Sequence, residues 1–206
     1  HSDSVTHAGA RPNRGAGLAF WLVLLIAAAT RIPFLNAGYG NDPDAWALAN
    51  AARQIAETGQ YVASRLPGYP LHELVGALLW PGGPLVLNGC TALLGVVAVA
   101  CFTRSLKRLG SPDYLLAGLA LALTPVVFIN STTSLDYVWA LAFILASHHA
   151  ALVGRPIVAG CLLGAAVGCR LTSGAMLLPL AMLLLTSRPK SDRVRGGEGG
   201  ASSSRE

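Results

Sequence analysis

Apolar residues arrive along this chain in long uninterrupted blocks. Residues 15–30, 85–103, 115–135 and 138–154 contain no Asp, Glu, Lys or Arg. Each block fits a helix that crosses a bilayer, which needs roughly 20 mostly apolar residues at about 1.5 Å rise. The pattern predicts spans over residues 15–35, 85–104, 114–129 and 136–153. A further apolar stretch, residues 157–186, would make a single helix of about 45 Å against a hydrocarbon core of about 30 Å. The run Arg170-Leu171-Thr172-Ser173-Gly174 offers a break there, so two short or tilted helices are expected. The predicted fold class is all-α, a polytopic transmembrane helical bundle of about six spans.

The longest polar excursion, residues 36–84, separates the first two spans. It opens on Gly38-Tyr39-Gly40-Asn41-Asp42-Pro43-Asp44-Ala45-Trp46. Asp42 before Pro43 has the grammar of a helix start, a side-chain cap followed by Pro at the first helical position, and Gly59 supplies the stop. Ala45, Leu48, Ala49, Ala52, Ile55 and Ala56 then make an apolar stripe opposite Asn50, Arg53, Gln54 and Glu57. The stripe predicts a helix lying along the membrane interface with Trp46 near the headgroups. A second short helix is expected from Tyr69 to Trp80, started by Pro70.

Composition agrees with the pattern. The 206 residues are 53% hydrophobic and 12% charged, and a mean hydropathy of +0.53 is too high for a solvated domain surface. The net charge is +5, yet the basic residues stand in short clusters without interleaved aromatics, so nucleic acid is not an expected partner. They read as topology signals. With the N-terminus cytoplasmic and six crossings, Arg11, Arg14, Arg104, Lys107, Arg108, Arg155, Arg188, Lys190, Arg193, Arg195 and Arg205 fall inside. The excursion at 36–84 is then extracytoplasmic. Residues 1–14 are expected to form a cytoplasmic segment that starts like a fragment or tag, residues 15–187 the bilayer region, and residues 188–206 a disordered, basic cytoplasmic tail. Cys90, Cys101, Cys161 and Cys169 lack metal-ligand spacing and read as packing residues.

The groups expected at one depth near the outer surface are Arg31, Asp42, Asp44, Arg65, Tyr69, His72, Glu73, Asp136 and Arg170. A charge kept beside a spanning helix is costly and so marks a functional site by default. The plainer alternatives are that Arg31 and Arg170 snorkel and that Asp42 and Asp136 cap helices. Asp42 suits the cap, which leaves Asp44 at the second helical position to face a ligand. The helix dipole favours its ionised form. Such a carboxylate can take a proton from an attacking hydroxyl or hold a divalent cation, though Asp-Pro-Asp does not specify a metal. Arg65 carries a fork that matches phosphate, Tyr69 a ring and a hydroxyl, and His72-Glu73 a candidate proton relay.

The order of these features resembles a known family. A basic-flanked span ends in Arg31, an acidic pair (D-P-D-A-W) opens a helix ending E-T-G-Q-Y, and R-L-P-G-Y-P-L-H-E follows. Later come T-P-V-V-F-I-N-S-T-T-S-L-D-Y-V-W-A-L-A-F and G-C-L-L-G-A-A-V-G-C-R-L-T-S-G-A-M-L-L-P-L. Over residues 15–187 the chain resembles the N-terminal half of the GT-C superfamily of polytopic glycosyltransferases. It is similar to the branch of protein O-mannosyltransferases and the aminoarabinose transferase of lipid A. The resemblance implies transfer of a sugar, with inversion, from a polyprenyl-phosphate donor to an extracytoplasmic lipid, glycan or protein acceptor at a bacterial-type plasma membrane. It implies a catalytic carboxylate at Asp44 with Asp42 beside it, a second acidic position at Asp136, and phosphate-binding roles for Arg65, Arg31 and Arg170. Leu66-Pro67-Gly68-Tyr69-Pro70 stands where such transferases often carry Lys-Pro-Pro, and the chain has about half their spans. The rival classes are a transporter or flippase of an anionic lipid-linked substrate and a non-catalytic membrane subunit.

Overall fold

A computed structural model describes residues 14–186, which form helices joined by loops, with no strand among the described residues. The expectations for residues 1–13 and 187–206 lie outside the described residues. The elements are α1 (Arg14–Ala29), α2 (Pro43–Thr58), α3 (Pro70–Leu79), α4 (Gly83–Arg108), α5 (Tyr114–Leu123), α6 (Pro125–Asn130), α7 (Tyr137–Leu152), α8 (Pro156–Cys169) and α9 (Leu177–Thr186). Three 3-10 turns, Ile32–Phe34, Trp80–Gly82 and Leu171–Met176, join or extend them.

Two stretches, Gly15–Phe34 and Pro70–Arg108, are long and apolar enough to cross a bilayer, by length and composition. The second is interrupted by a 3-10 turn, Trp80–Gly82, before Gly83, whose φ of 64° suits a residue without Cβ. The break in the last apolar stretch falls at Arg170, between α8 and α9, where the polar run stands. The expected single helix over 114–129 is not found. Pro125 has no N–H to donate, Thr124 turns to ψ 123°, and the segment divides into α5 and α6.

Helix α4 packs on α1, α5 and α7, and α7 packs in turn on α8 and α9. Small residues allow the close approach. Ala27, Val99 and Ala122 are wholly buried where α1, α4 and α5 meet. Apolar side chains also point outward, among them Leu18, Trp21 and Leu25 of α1 and Leu177, Leu178 and Met182 of α9. Several polar side chains pair inside the bundle. Asn88 of α4 donates to the carbonyls of Leu35 (3.0 Å) and Gly38 (2.7 Å) and accepts from Ser134 Oγ (2.8 Å), which ties the chain on both sides of the site to one helix. Trp139 Nε1 donates to Thr91 Oγ1 at 2.9 Å.

The bundle has two distinct ends. At one end Arg108 Nε of α4 donates to the carbonyl of Leu152, the last residue of α7, and the starts of α1 and α5 flank the end of α4. At the other end stand α2 and α3. The apolar stripe of α2 does not lie along a surface: Ala45, Leu48, Ala49, Ala51, Ala52 and Ile55 are buried and the helix packs on α3. Gly76 of α3 permits this, since a Cβ there would come within 3.2 Å of Ala52 Cβ. Ala56 is left exposed. Trp46 is half-exposed and donates to the Gly40 carbonyl at 2.9 Å.

Candidate functional site

Helix α2 begins as its sequence requires. Asp42 is extended (φ −81°, ψ 130°), its carboxylate accepts from the Asp44 backbone N–H at 2.8 Å, Pro43 follows, and Gly59 closes the helix with φ 70°. This places Asp44 in the first turn of α2, where an ionised carboxylate is favoured. The side chain is not free, as the spacing suggested. It is paired with Arg65, from the loop before α3, and stays 39% exposed.

Arg65 also donates to Asp136, which starts α7, through Nη2 at 2.7 Å. Arg170, at the break between α8 and α9, donates to the second Asp136 oxygen at 3.1 Å. Four segments distant in sequence therefore meet in one ion network, ordered Asp44, Arg65, Asp136, Arg170. Asp136 is wholly buried. It occupies the cap position of α7, but its side chain makes no cap hydrogen bond, so pairing with the two guanidinium groups is its role. Tyr rings back the cations: Arg65 lies 4.7 Å from the Tyr69 centroid and Arg170 4.0 Å from that of Tyr137.

Glu73 is not placed as a relay partner for His72. Its carboxylate accepts from Tyr61 Oη (2.6 Å), Ser64 N (2.7 Å), Ser64 Oγ (2.5 Å) and Tyr69 N (3.1 Å). Those bonds fold the 61–69 loop onto α3 and so aim Arg65. Burial of its hydroxyl and the bond to Glu73 push the Tyr61 phenol up to about 12, although half of that side chain remains exposed. Glu73→Gln is expected to lower stability by about 1–3 kcal/mol, because it replaces charge-assisted acceptors with a group that must donate on one side. Chemical unfolding in detergent would read this as a lower midpoint, and an unchanged midpoint would count against the role.

His72 is buried edge-on against Trp139 at 4.8 Å, with no hydrogen bond to Nδ1. Arg31 is set apart from the network. It is 1% exposed and its N–H groups go to Ser131 Oγ (3.0 Å), the carbonyls of Ala27 (2.7 Å) and Ala122 (2.5 Å), and Thr30 Oγ1 (3.0 Å). It holds α1 to α5 and α6, with four of its five N–H donors taken and the side chain closed to solvent.

Shallow clefts lie near the network, one of them bordered by its Arg170. One of about 560 Å³ runs between the 37–42 loop and α6, and another of about 370 Å³ is lined by Asp42, Val126, Asn130 and Tyr137. A third, of about 210 Å³, lies on the far side of Tyr137 and is bordered by Arg170, Thr172 and Ser173. Tyr137 was not singled out in the sequence; it stands between two clefts and under Arg170, and its position directly after Asp136 was the available signal. Among the described residues no group of three His, Cys, Asp or Glu side chains could hold a metal ion. No protein-family model, curated protein or solved structure matches this chain.

Proposed function

We propose that this protein is an integral membrane glycosyltransferase that transfers a sugar from a polyprenyl-phosphate donor to an extracytoplasmic acceptor with inversion. The observation that carries the reading is the single network of two carboxylates and two guanidinium groups, drawn from four segments to one end of an apolar helix bundle beside open clefts. A bundle of about six crossings fits the charge distribution, with Arg104, Lys107, Arg108 and Arg155 at the cytoplasmic end and the α2–α3 end outside. Helices α7, α8 and α9 have 16, 14 and 10 residues and need tilt or a thin bilayer to cross.

The four residues divide the work. Asp44 is the base, kept ionised by Arg65 and the α2 dipole and half-open to substrate. Asp136 has no open face, so it orients the two arginines and takes no proton. Arg170 keeps N–H groups beyond its bond to Asp136 and borders a cleft, which suits it to the donor phosphate better than Arg65, held at both ends by carboxylates. In the reaction the acceptor oxygen attacks the anomeric carbon as its proton passes to Asp44. The carbon–oxygen bond to phosphate breaks on the opposite face, and the electron pair leaves on the phosphate beside Arg170.

Labelled polyprenyl-phosphate sugars supplied to the protein in proteoliposomes test the reading. Label is expected on an acceptor. Movement of the intact donor across the bilayer without transfer would replace the reading with a flippase, and neither event would leave a structural subunit.

A further inference from the structure

The opposite end of the bundle holds a second site, away from the acidic network. We infer that a notch between α1, α4 and α5 binds the headgroup of an anionic phospholipid through Arg104 and Lys107. The inference rests on the membrane reading above and not on the transfer chemistry.

The notch has a volume of about 210 Å³ and is walled by Phe20 and Trp21 of α1, Arg104 and Lys107 of α4, and Tyr114 of α5. Gly17 lines it too, and the space beside this residue is empty: a Cβ there would meet no atom within 4 Å, so a larger side chain can enter the notch. The Arg104 guanidinium lies 5.0 Å from the Phe20 centroid and Lys107 Nζ 5.5 Å from that of Tyr114. Both cations thus lie over aromatic rings and line the same notch. Both are exposed, and among the described residues neither joins an ion pair. The α4 dipole and the rule that places positive charge in the cytoplasm explain cations at this end. Neither explains a gap with an aromatic wall between them.

A lipid phosphate satisfies what the notch offers. Its charge meets two cations, its oxygens accept their N–H groups, and the lipid body runs along Trp21, which is 63% exposed. Basic pockets between apolar helices at a membrane surface recognise such headgroups. Asp113, beside Tyr114, is the one acidic residue of this end among the described residues, against Arg104, Lys107, Arg108 and Arg155. A phosphatidylcholine headgroup would bring its own cation into this field and is disfavoured.

Thermal unfolding of the detergent-solubilised protein, titrated with phosphatidylglycerol, tests the site. The unfolding midpoint is expected to rise with phosphatidylglycerol and to stay in place with phosphatidylcholine or inorganic phosphate. The double variant Arg104→Gln/Lys107→Gln should bind about 30-fold more weakly, about fivefold for each lost cation near an anionic surface. Gly17→Leu should abolish the shift with both cations present, which decides the matter if the double variant does not fold. Arg155→Gln, at the same end but outside the notch, should titrate like the parent. An equal shift with phosphatidylcholine, the same shift with inorganic phosphate, or an equal loss in Arg155→Gln would each overturn the inference. Flotation with liposomes separates the two levels: failure to float removes the membrane reading itself, whereas flotation without lipid selectivity removes the notch alone.

Discussion

Asp136→Ala is expected to destabilise the protein by about 3 kcal/mol, the low end of the cost of breaking a buried pair, because the two guanidinium groups left behind are only partly buried. Asp136 is wholly buried and takes one oxygen to Arg65 and the other to Arg170. Its removal therefore leaves Arg170 without its carboxylate and Arg65 held by Asp44 alone. The loss should also loosen the junction of α7 with the break before α9, since the Asp136–Arg170 bond spans it. Arg53 and Glu57 make the useful contrast. Their bond is 2.8 Å long, but both side chains are more than half exposed, so Glu57→Gln should leave the unfolding midpoint almost unmoved. Chemical unfolding of the three proteins in one detergent reads both effects, and equal losses for the two variants would show that burial of Asp136 does not govern its contribution.

How much of this was legible in the sequence depended on how far each partner lay along the chain. The start of α2 was readable because Asp42, Pro43 and Asp44 carry the cap and the first turn within three positions. The break at Arg170 was readable for the same reason: the polar run Arg170-Leu171-Thr172-Ser173-Gly174 interrupts a long apolar stretch within a few positions. Pro125 was equally local and should have divided the 114–129 segment, but the apolar block around it masked the missing N–H. Pairing was different. Asp44 meets Arg65 and Asp136 meets Arg170 only because α2, α3, α7 and α8 pack together, and no spacing rule announces such contacts. Arg31 shows the same limit from the other side. Its position at the end of an apolar block suggested a functional charge, while its partners Ser131 and Ala122 lie some 100 and 91 positions away. The stripe on α2 was recognised as apolar, but an apolar stripe faces lipid and a neighbouring helix equally well. Gly76, which lets α3 cover it, has no signature of its own.

The ordering of roles within the network follows from exposure. In the proposed reaction Asp44 is given the proton of the entering hydroxyl because Asp136 is sealed and Asp44 is not, and Arg170 is given the donor phosphate because it borders a cleft and has N–H groups to spare. Asp44→Asn keeps the size of the side chain and an oxygen for Arg65, so the fold should persist where Asp136→Ala weakens it. The charge that takes the proton is gone. Loss of a positioned base costs about 10²–10⁴-fold in rate, which is about 2.7–5.5 kcal/mol of transition-state stabilisation. Donor binding should be preserved, because the phosphate is assigned to Arg170. The most direct measurement is therefore turnover and donor binding of Asp44→Asn beside the parent protein in the same proteoliposomes. Transfer is expected to fall by about 10²–10⁴-fold with binding of the polyprenyl-phosphate sugar unchanged, and turnover equal to that of the parent protein would contradict the assignment of Asp44 as the base.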